Sequence, residues 1–155
     1  MAFTTINKSS DHFKAIKYNG TGSSNAITGV GHQPDFLWIK KANGAEHHIL
    51  IDAVRGLDKQ IYSSHSSSQD TNAQSVTAVG ADGFTVGTNA QTNANGSIFI
   101  AQTWKAGGGA GSANTDGTIN TTSTSVNTTS GVSISTVTLS GSGNQTFGHG
   151  LGVTP

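Results

Sequence analysis

Short alternations of apolar and polar residues, each closed by a turn signal, run through residues 13–105. The pattern predicts a strand over 13–18 (FKAIKY), ended by Asn19-Gly20, a dipeptide suited to positive φ. A short strand follows at 25–28, after which Gly29, Gly31 and Pro34 interrupt the chain. Residues 35–41 (DFLWIKK) form the most apolar segment and are turned by Ala42-Asn43-Gly44. Residues 46–52 (EHHILID) are the expected hairpin partner. Further strands are expected at 59–63, 74–79 and, after Asp82-Gly83, 84–87. Asn95-Gly96 leads into 97–105 (SIFIAQTWK), where Ile98, Ile100 and Gln102 share one face and Phe99, Ala101 and Thr103 the other. Many short strands without helical periodicity predict an all-β protein, an antiparallel β-sandwich or jelly roll. The expected core includes Ile16, Phe36, Trp38, Ile49, Ile51, Val86, Ile98, Ile100 and Trp104.

Composition tests this reading. The chain has 155 residues, 21 of them Gly, and only 10% are charged. So polar a chain invites a reading as disorder, but disorder goes with high net charge, and the formal charge here is zero. Ile and Val outnumber Leu, Thr is abundant, and Glu46 is the only glutamate. That mix favours pleated sheets over helices. Cysteine is absent, so disulfides and thiolate metal sites are excluded. No apolar run approaches the ~18 residues of a membrane helix, and no secretory-signal pattern opens the sequence. Zero net charge and a single arginine, Arg55, argue against a nucleic-acid partner, which needs cations to neutralise phosphates.

Charge also divides the chain. Asp35, Lys40, Lys41, Glu46, Asp52, Arg55, Asp58 and Lys59 cluster together, whereas only Asp116 is charged after Lys105. The segment 106–112 (AGGGAGS) therefore reads as a flexible linker. The expected organisation is an N-terminal arm over 1–12, a β-sandwich domain over 13–105, a Gly/Ser/Thr/Asn-rich linker over 106–130, and the start of a second, truncated repeat over 131–155. The repeat rests on laying 13–34 over 134–155. Ile16 then meets Val137, Tyr18 meets Leu139, Gly20 and Gly22 meet Gly141 and Gly143, and Gly29, Val30 and Gly31 meet Gly150, Leu151 and Gly152. Pro34 meets Pro155. The first copy continues into DFLWIKK. The expectation is that the second continues likewise in a longer multi-domain protein, since half a sandwich cannot bury its face.

Candidate chemistry is sparse. His12, His32, His47, His48, His65 and His149 are scattered, and none sits at metal-ligand spacing with a third donor. His47 and His48 are expected on opposite faces of one strand. No G-x-S-x-G elbow accompanies the many serines. Asn89, Asn93 and Asn95-Gly96 resemble an oxygen-rich calcium loop that lacks its bidentate acid. Trp38, Trp104 and Tyr62 are candidates for a sugar-stacking platform, with the core as the favoured place for both tryptophans. Phe3 and Ile6 in the arm are candidates for packing onto a neighbouring subunit in assembly.

A series of segments carries a resemblance over nearly the whole chain: MAFTTI, YNGTGSSNAITG, QPDFLWIKK, DAVRG (52–56), ADGFTVGT, TWKAGGG, SANTDGTI, NTTSGVSI and GHGLGVTP. In this order they resemble a domain that recurs, often in tandem, in structural and tail-fibre-like proteins of marine bacteriophages. The resemblance implies a concanavalin-A or laminin-G-like jelly roll, and in longer members GHGLG-x-x-P leads into a second apolar strand. It implies no catalytic residues.

The function expected is that of a non-catalytic virion structural protein, part of a tail fibre, capsid fibre or appendage, serving virion attachment or host adsorption. Its expected partners are other virion proteins and a host cell-surface glycan, with the chain as a homo-oligomer, no nucleic acid, no membrane insertion and no cofactor. Its expected location is the virion, assembled in the host cytoplasm. A lectin-like carbohydrate-binding module and the non-catalytic part of a larger polysaccharide hydrolase are the alternatives.

Overall fold

A computed structural model describes residues 6–141 and 143–154. A 3-10 turn at Ser9–Asp11 precedes strands β1 (Phe13–Asn19), β2 (Asn25–Ile27), β3 (Phe36–Lys41), β4 (Ile49–Asp52), β5 (Lys59–Tyr62), β6 (Asp70–Thr71), β7 (Ala78–Gly80) and β8 (Gly83–Val86). A single helical turn, α1 (Ala90–Asn93), leads to β9 (Ile98–Trp104), and β10 (Ser123–Asn127) and β11 (Val132–Thr136) follow. The protein is all-β and its strand pairs are antiparallel. A six-stranded sheet runs β1-β9-β3-β4-β5-β6, and a three-stranded sheet runs β2-β8-β7. β10 and β11 form a separate hairpin.

The two larger sheets share one core, as in a β-sandwich. Tyr18, Leu37, Ile39, Ile49, Ile51, Phe99 and Ala101 of the large sheet meet Ile27, Phe84 and Val86 of the small one, with Val30 and Val76 from the loops. Tyr18 stacks on Phe99 at 5.3 Å and meets the edge of Phe84 at 6.0 Å. Its hydroxyl donates to the Thr92 carbonyl at 2.6 Å, and burial pushes that hydroxyl's pKa upward.

Most strands fall close to where the pattern predicts them, except that 74–79 is loop as far as residue 77 and only β7 (Ala78–Gly80) follows; the core face is corrected. Ile49, Ile51 and Val86 are buried as expected, and Ile16 packs half-buried against the core. Phe36, Trp38, Ile98, Ile100 and Trp104 are only half-buried and belong to the outer face of the large sheet. The inner positions of the same strands are Leu37 and Ile39 in β3, and Phe99, Ala101 and Thr103 in β9. Both alternations of these strands are apolar, so the strand pattern alone does not choose between them. A strand that is apolar on both sides signals cover on both faces.

The range 106–130, expected as a linker, contains β10 and is tied to the sandwich. Asp35 is fully buried, and its Oδ2 accepts the backbone N–H groups of Ala106 at 2.7 Å and Gly108 at 2.9 Å. The Gly107 N–H donates to Ser125 Oγ, and residue 112 bridges residue 124. Gly107 and Gly111 serve close approach rather than flexibility. A Cβ on Gly111 would lie 2.0 Å from the Thr124 carbonyl oxygen, and its φ of 76° is itself costly for other residues.

Candidate functional site

The outer face of the six-stranded sheet follows from strand register. Phe13 of β1 opposes Trp104 of β9, which opposes Phe36 of β3, giving ring-centroid separations of 4.9 and 5.3 Å. In the next row Trp38 lies between Gln102 and Leu50, and Leu50 opposes the exposed Ile61. The Trp38 indole N–H donates to Nδ1 of His48 at 3.0 Å. That bond requires Nδ1 of His48 to act as the acceptor.

One end of this face is roofed. The β10–β11 hairpin and the sheet enclose a groove of about 530 Å³ lined by Phe36, Asp52, Trp104 and residues 131–135. Asp52 contributes little free chemistry there. Its Oδ2 takes the Arg55 Nε at 2.5 Å, and its Oδ1 accepts the Val54 and Arg55 backbone N–H groups. A pocket of about 230 Å³ beside it is lined by Ile6, Ser9, His12, Phe13, Trp104, Ser130 and Val132. Ile6 is half-buried at the edge of this pocket, and Phe3 lies outside the described residues. Ser130 Oγ is buried without a hydrogen-bond partner among the described residues.

The histidines do not converge on a reaction centre. His47 and His48 precede β4 rather than lying within a strand, and both are half-buried. The His47 ring meets His65 at 4.7 Å and Tyr62 at 5.5 Å. His65 Nδ1 accepts the Ser67 N–H at 3.2 Å, so that nitrogen is engaged in its own loop. Tyr62 donates to Asp70 at 3.1 Å, and its pKa is raised, chiefly by burial, with Asp70 adding to the effect. Its strand register puts Tyr62 opposite Ile49, on the core-facing alternation, so it does not join the two tryptophans in one platform. His32 is buried between the Ser10 carbonyl at 2.9 Å and Thr103 Oγ1 at 3.2 Å. Among the described residues, no group of three or more His, Cys, Asp or Glu side chains is placed to hold a metal ion.

The asparagine segment also serves the fold. Asn89 caps α1 by accepting the Gln91 N–H at 3.0 Å. Asn93, fully buried, accepts the Thr21 N–H at 2.9 Å and donates to the Ser23 and Gly87 carbonyls at 2.5 and 2.6 Å. Its amide is consumed in joining the β1–β2 and β8–α1 connections. No helix among the described residues is long and apolar enough to cross a membrane.

Sequence reasoning found the residues of the outer face but assigned the wrong role to both tryptophans. The missed signal was that DFLWIKK and SIFIAQTWK are apolar on both alternations. It also missed Asp35, whose role in holding residues 106–108 no local pattern announces.

An all-β, sandwich-like protein with a half-open aromatic sheet face is the class that fold and surface define. Residues 8–155 match the model of a family described as a domain of unknown function, DUF7483, and the chain belongs to that family. No curated protein and no solved structure matches the chain.

Proposed function

We propose that this protein is a non-catalytic bacteriophage virion component, part of a tail fibre, capsid fibre or appendage, acting in virion attachment or host adsorption. The sequence resemblance supplies the virion context. The observation that carries the mode of action is the outer face of the six-stranded sheet, where Trp38, Phe36 and Trp104 are half-exposed side by side on a rigid support. A broad apolar and aromatic face of this kind is a packing surface for another macromolecule. Its partners on this reading are other virion proteins, and its state is a homo-oligomer. Antibodies against the chain, applied to particles purified from its source, should label a particle appendage. Particles that carry no label, with the chain recovered only from the soluble lysate, would overturn the reading.

A lectin-like role is the second reading. It is favoured by the outward position of both tryptophans, with Gln102 opposite Trp38. A glycan array on which wild type binds and Trp38→Ala does not would select it.

The reading extends to architecture: residues 131–155 are the first strands of a second similar jelly roll. Two features support this. β11 falls where the repeat starts, and Leu139 and Val153 are 68% and 70% exposed, whereas the positions they repeat, Tyr18 and His32, are 8% and 2% exposed.

A further inference from the structure

We propose that Asn43-Gly44, the turn between β3 and β4, is a site of spontaneous succinimide formation and isoaspartate conversion, selected by the fold over the other two Asn-Gly pairs of the chain. In this reaction the backbone nitrogen of the glycine attacks Cγ of the preceding asparagine. The C–N bond of the side-chain amide breaks, ammonia leaves with the proton given up by the glycine nitrogen, and a five-membered imide remains. Water then opens the imide at either carbonyl, giving aspartate or isoaspartate. No oxidant, metal or enzyme is needed. Glycine is the favourable follower because it has no Cβ to obstruct the attack.

The chain offers three such pairs, and their surroundings differ. Gly20 is buried, and its N–H donates to the Ser97 carbonyl at 2.8 Å. Gly96 is exposed, but its N–H donates to the Gly20 carbonyl at 3.1 Å. At 43–44 both residues are exposed, and the Gly44 N–H closes the turn only weakly, with no acceptor in good hydrogen-bond geometry among the described residues. A hydrogen bond that must open first reduces the population of attacking amide by roughly three- to tenfold.

The surroundings of Asn43 also favour the chemistry itself. Its Oδ1 accepts the Ile98 N–H at 3.0 Å, and negative charge develops on that oxygen when Cγ is attacked. Lys40 Nζ lies 2.7 Å from the Gly44 carbonyl oxygen and 2.6 Å from that of Lys41. The Lys41 amine lies beside Gly44 as well. Two ammonium groups at the turn stabilise the anionic amide and the tetrahedral intermediate.

The product changes the turn. Isoaspartate inserts a methylene into the backbone between β3 and β4 and turns the oxygen that accepts the Ile98 N–H from a side-chain amide oxygen into a main-chain carbonyl oxygen. It also adds a carboxylate beside two lysines.

The test is to incubate the folded protein at mildly alkaline pH, sample over days, digest under acid and map the Asn-to-Asp mass increase. Fragmentation that separates isoaspartate from aspartate reads the product. Asn43 should convert first, at least about threefold faster than Asn95 and about tenfold faster than Asn19. In denaturant the three rates should converge, and Lys40→Met should slow Asn43 in the folded protein. Conversion of Asn95 or Asn19 at a rate equal to that of Asn43 in the folded state would overturn the proposal. So would the same rate order in denaturant, since it would trace the selection to local sequence rather than fold.

Discussion

The two copies of one sequence pattern meet different fates. In residues 13–34 the pattern supplies Tyr18, Val30 and His32 to the interior. In residues 134–154 the corresponding Leu139 and Val153 face solvent and Leu151 is half-buried. The difference lies in the neighbours. β1 pairs along its length with β9, and Tyr18 is covered by Phe99 and Phe84. β11 has only β10, and residues 137–154 form no strand among those described. Burial is therefore a property of the partners a strand finds, and an alternating segment exposes the same side chains when those partners are absent.

The largest effect that sharpens this contrast is expected in the first copy's core. Phe99→Ala should cost about 3–5 kcal/mol of unfolding free energy, because the ring is fully buried under Tyr18. Leu139→Ala should cost less than about 0.5 kcal/mol, as for an exposed position. Urea denaturation of the two variants measures both. A comparable loss from each would break the comparison.

Asp35, which holds residues 106 and 108 to the sandwich, comes next. Asp35→Ala leaves the buried N–H groups of Ala106 and Gly108 without an acceptor, at a cost of roughly 2–3 kcal/mol. It should also open residues 106–112 to proteolysis while β1–β9 stay resistant, which limited digestion followed by mass spectrometry would read.

Tyr18 gives a smaller effect with a pH signature. Tyr18→Phe should cost about 1 kcal/mol for the lost bond to the Thr92 carbonyl. Burial raises the folded-state pKa of Tyr18 above its ordinary value of 10.0, so its stabilisation is fully present below that value and is lost as pH rises beyond it. The variant should flatten the alkaline limb of the stability–pH curve.

Asp82 is the smallest and has the opposite sign. The Gly31 and Gly29 backbone N–H groups hold its carboxyl below the usual pKa. The associated stability is present above the ordinary carboxylate range and is lost as pH falls through the lowered value. Asp82→Asn should reduce the slope of the acid limb without altering the alkaline one.

Much of this was legible before any coordinates. Turn dipeptides such as Asn19-Gly20 and Asp82-Gly83 located the strand ends, although Gly20 does not take the positive φ expected of it and instead lets the Ala94 carbonyl oxygen approach within 2.1 Å of where a Cβ would stand. Which face of β3 and β9 turns inward was not legible. Leu37 and Ile39 compete with Phe36 and Trp38 on nearly equal apolar terms, and only the second sheet decides between them. AGGGAGS misled for a related reason: composition cannot distinguish a glycine that frees the chain from one, such as Gly111, that lets two backbones touch. For the candidate site, residue type was readable, while the outward placement of Trp38 and Trp104 depends on pairing across strands distant in sequence.

Peptide-level hydrogen exchange under native conditions tests the central contrast most directly. The account predicts that amides of β1, β3 and β9 exchange only with global unfolding, whereas those of 137–154 exchange many-fold faster. Protection of 137–154 equal to that of β1 would contradict it.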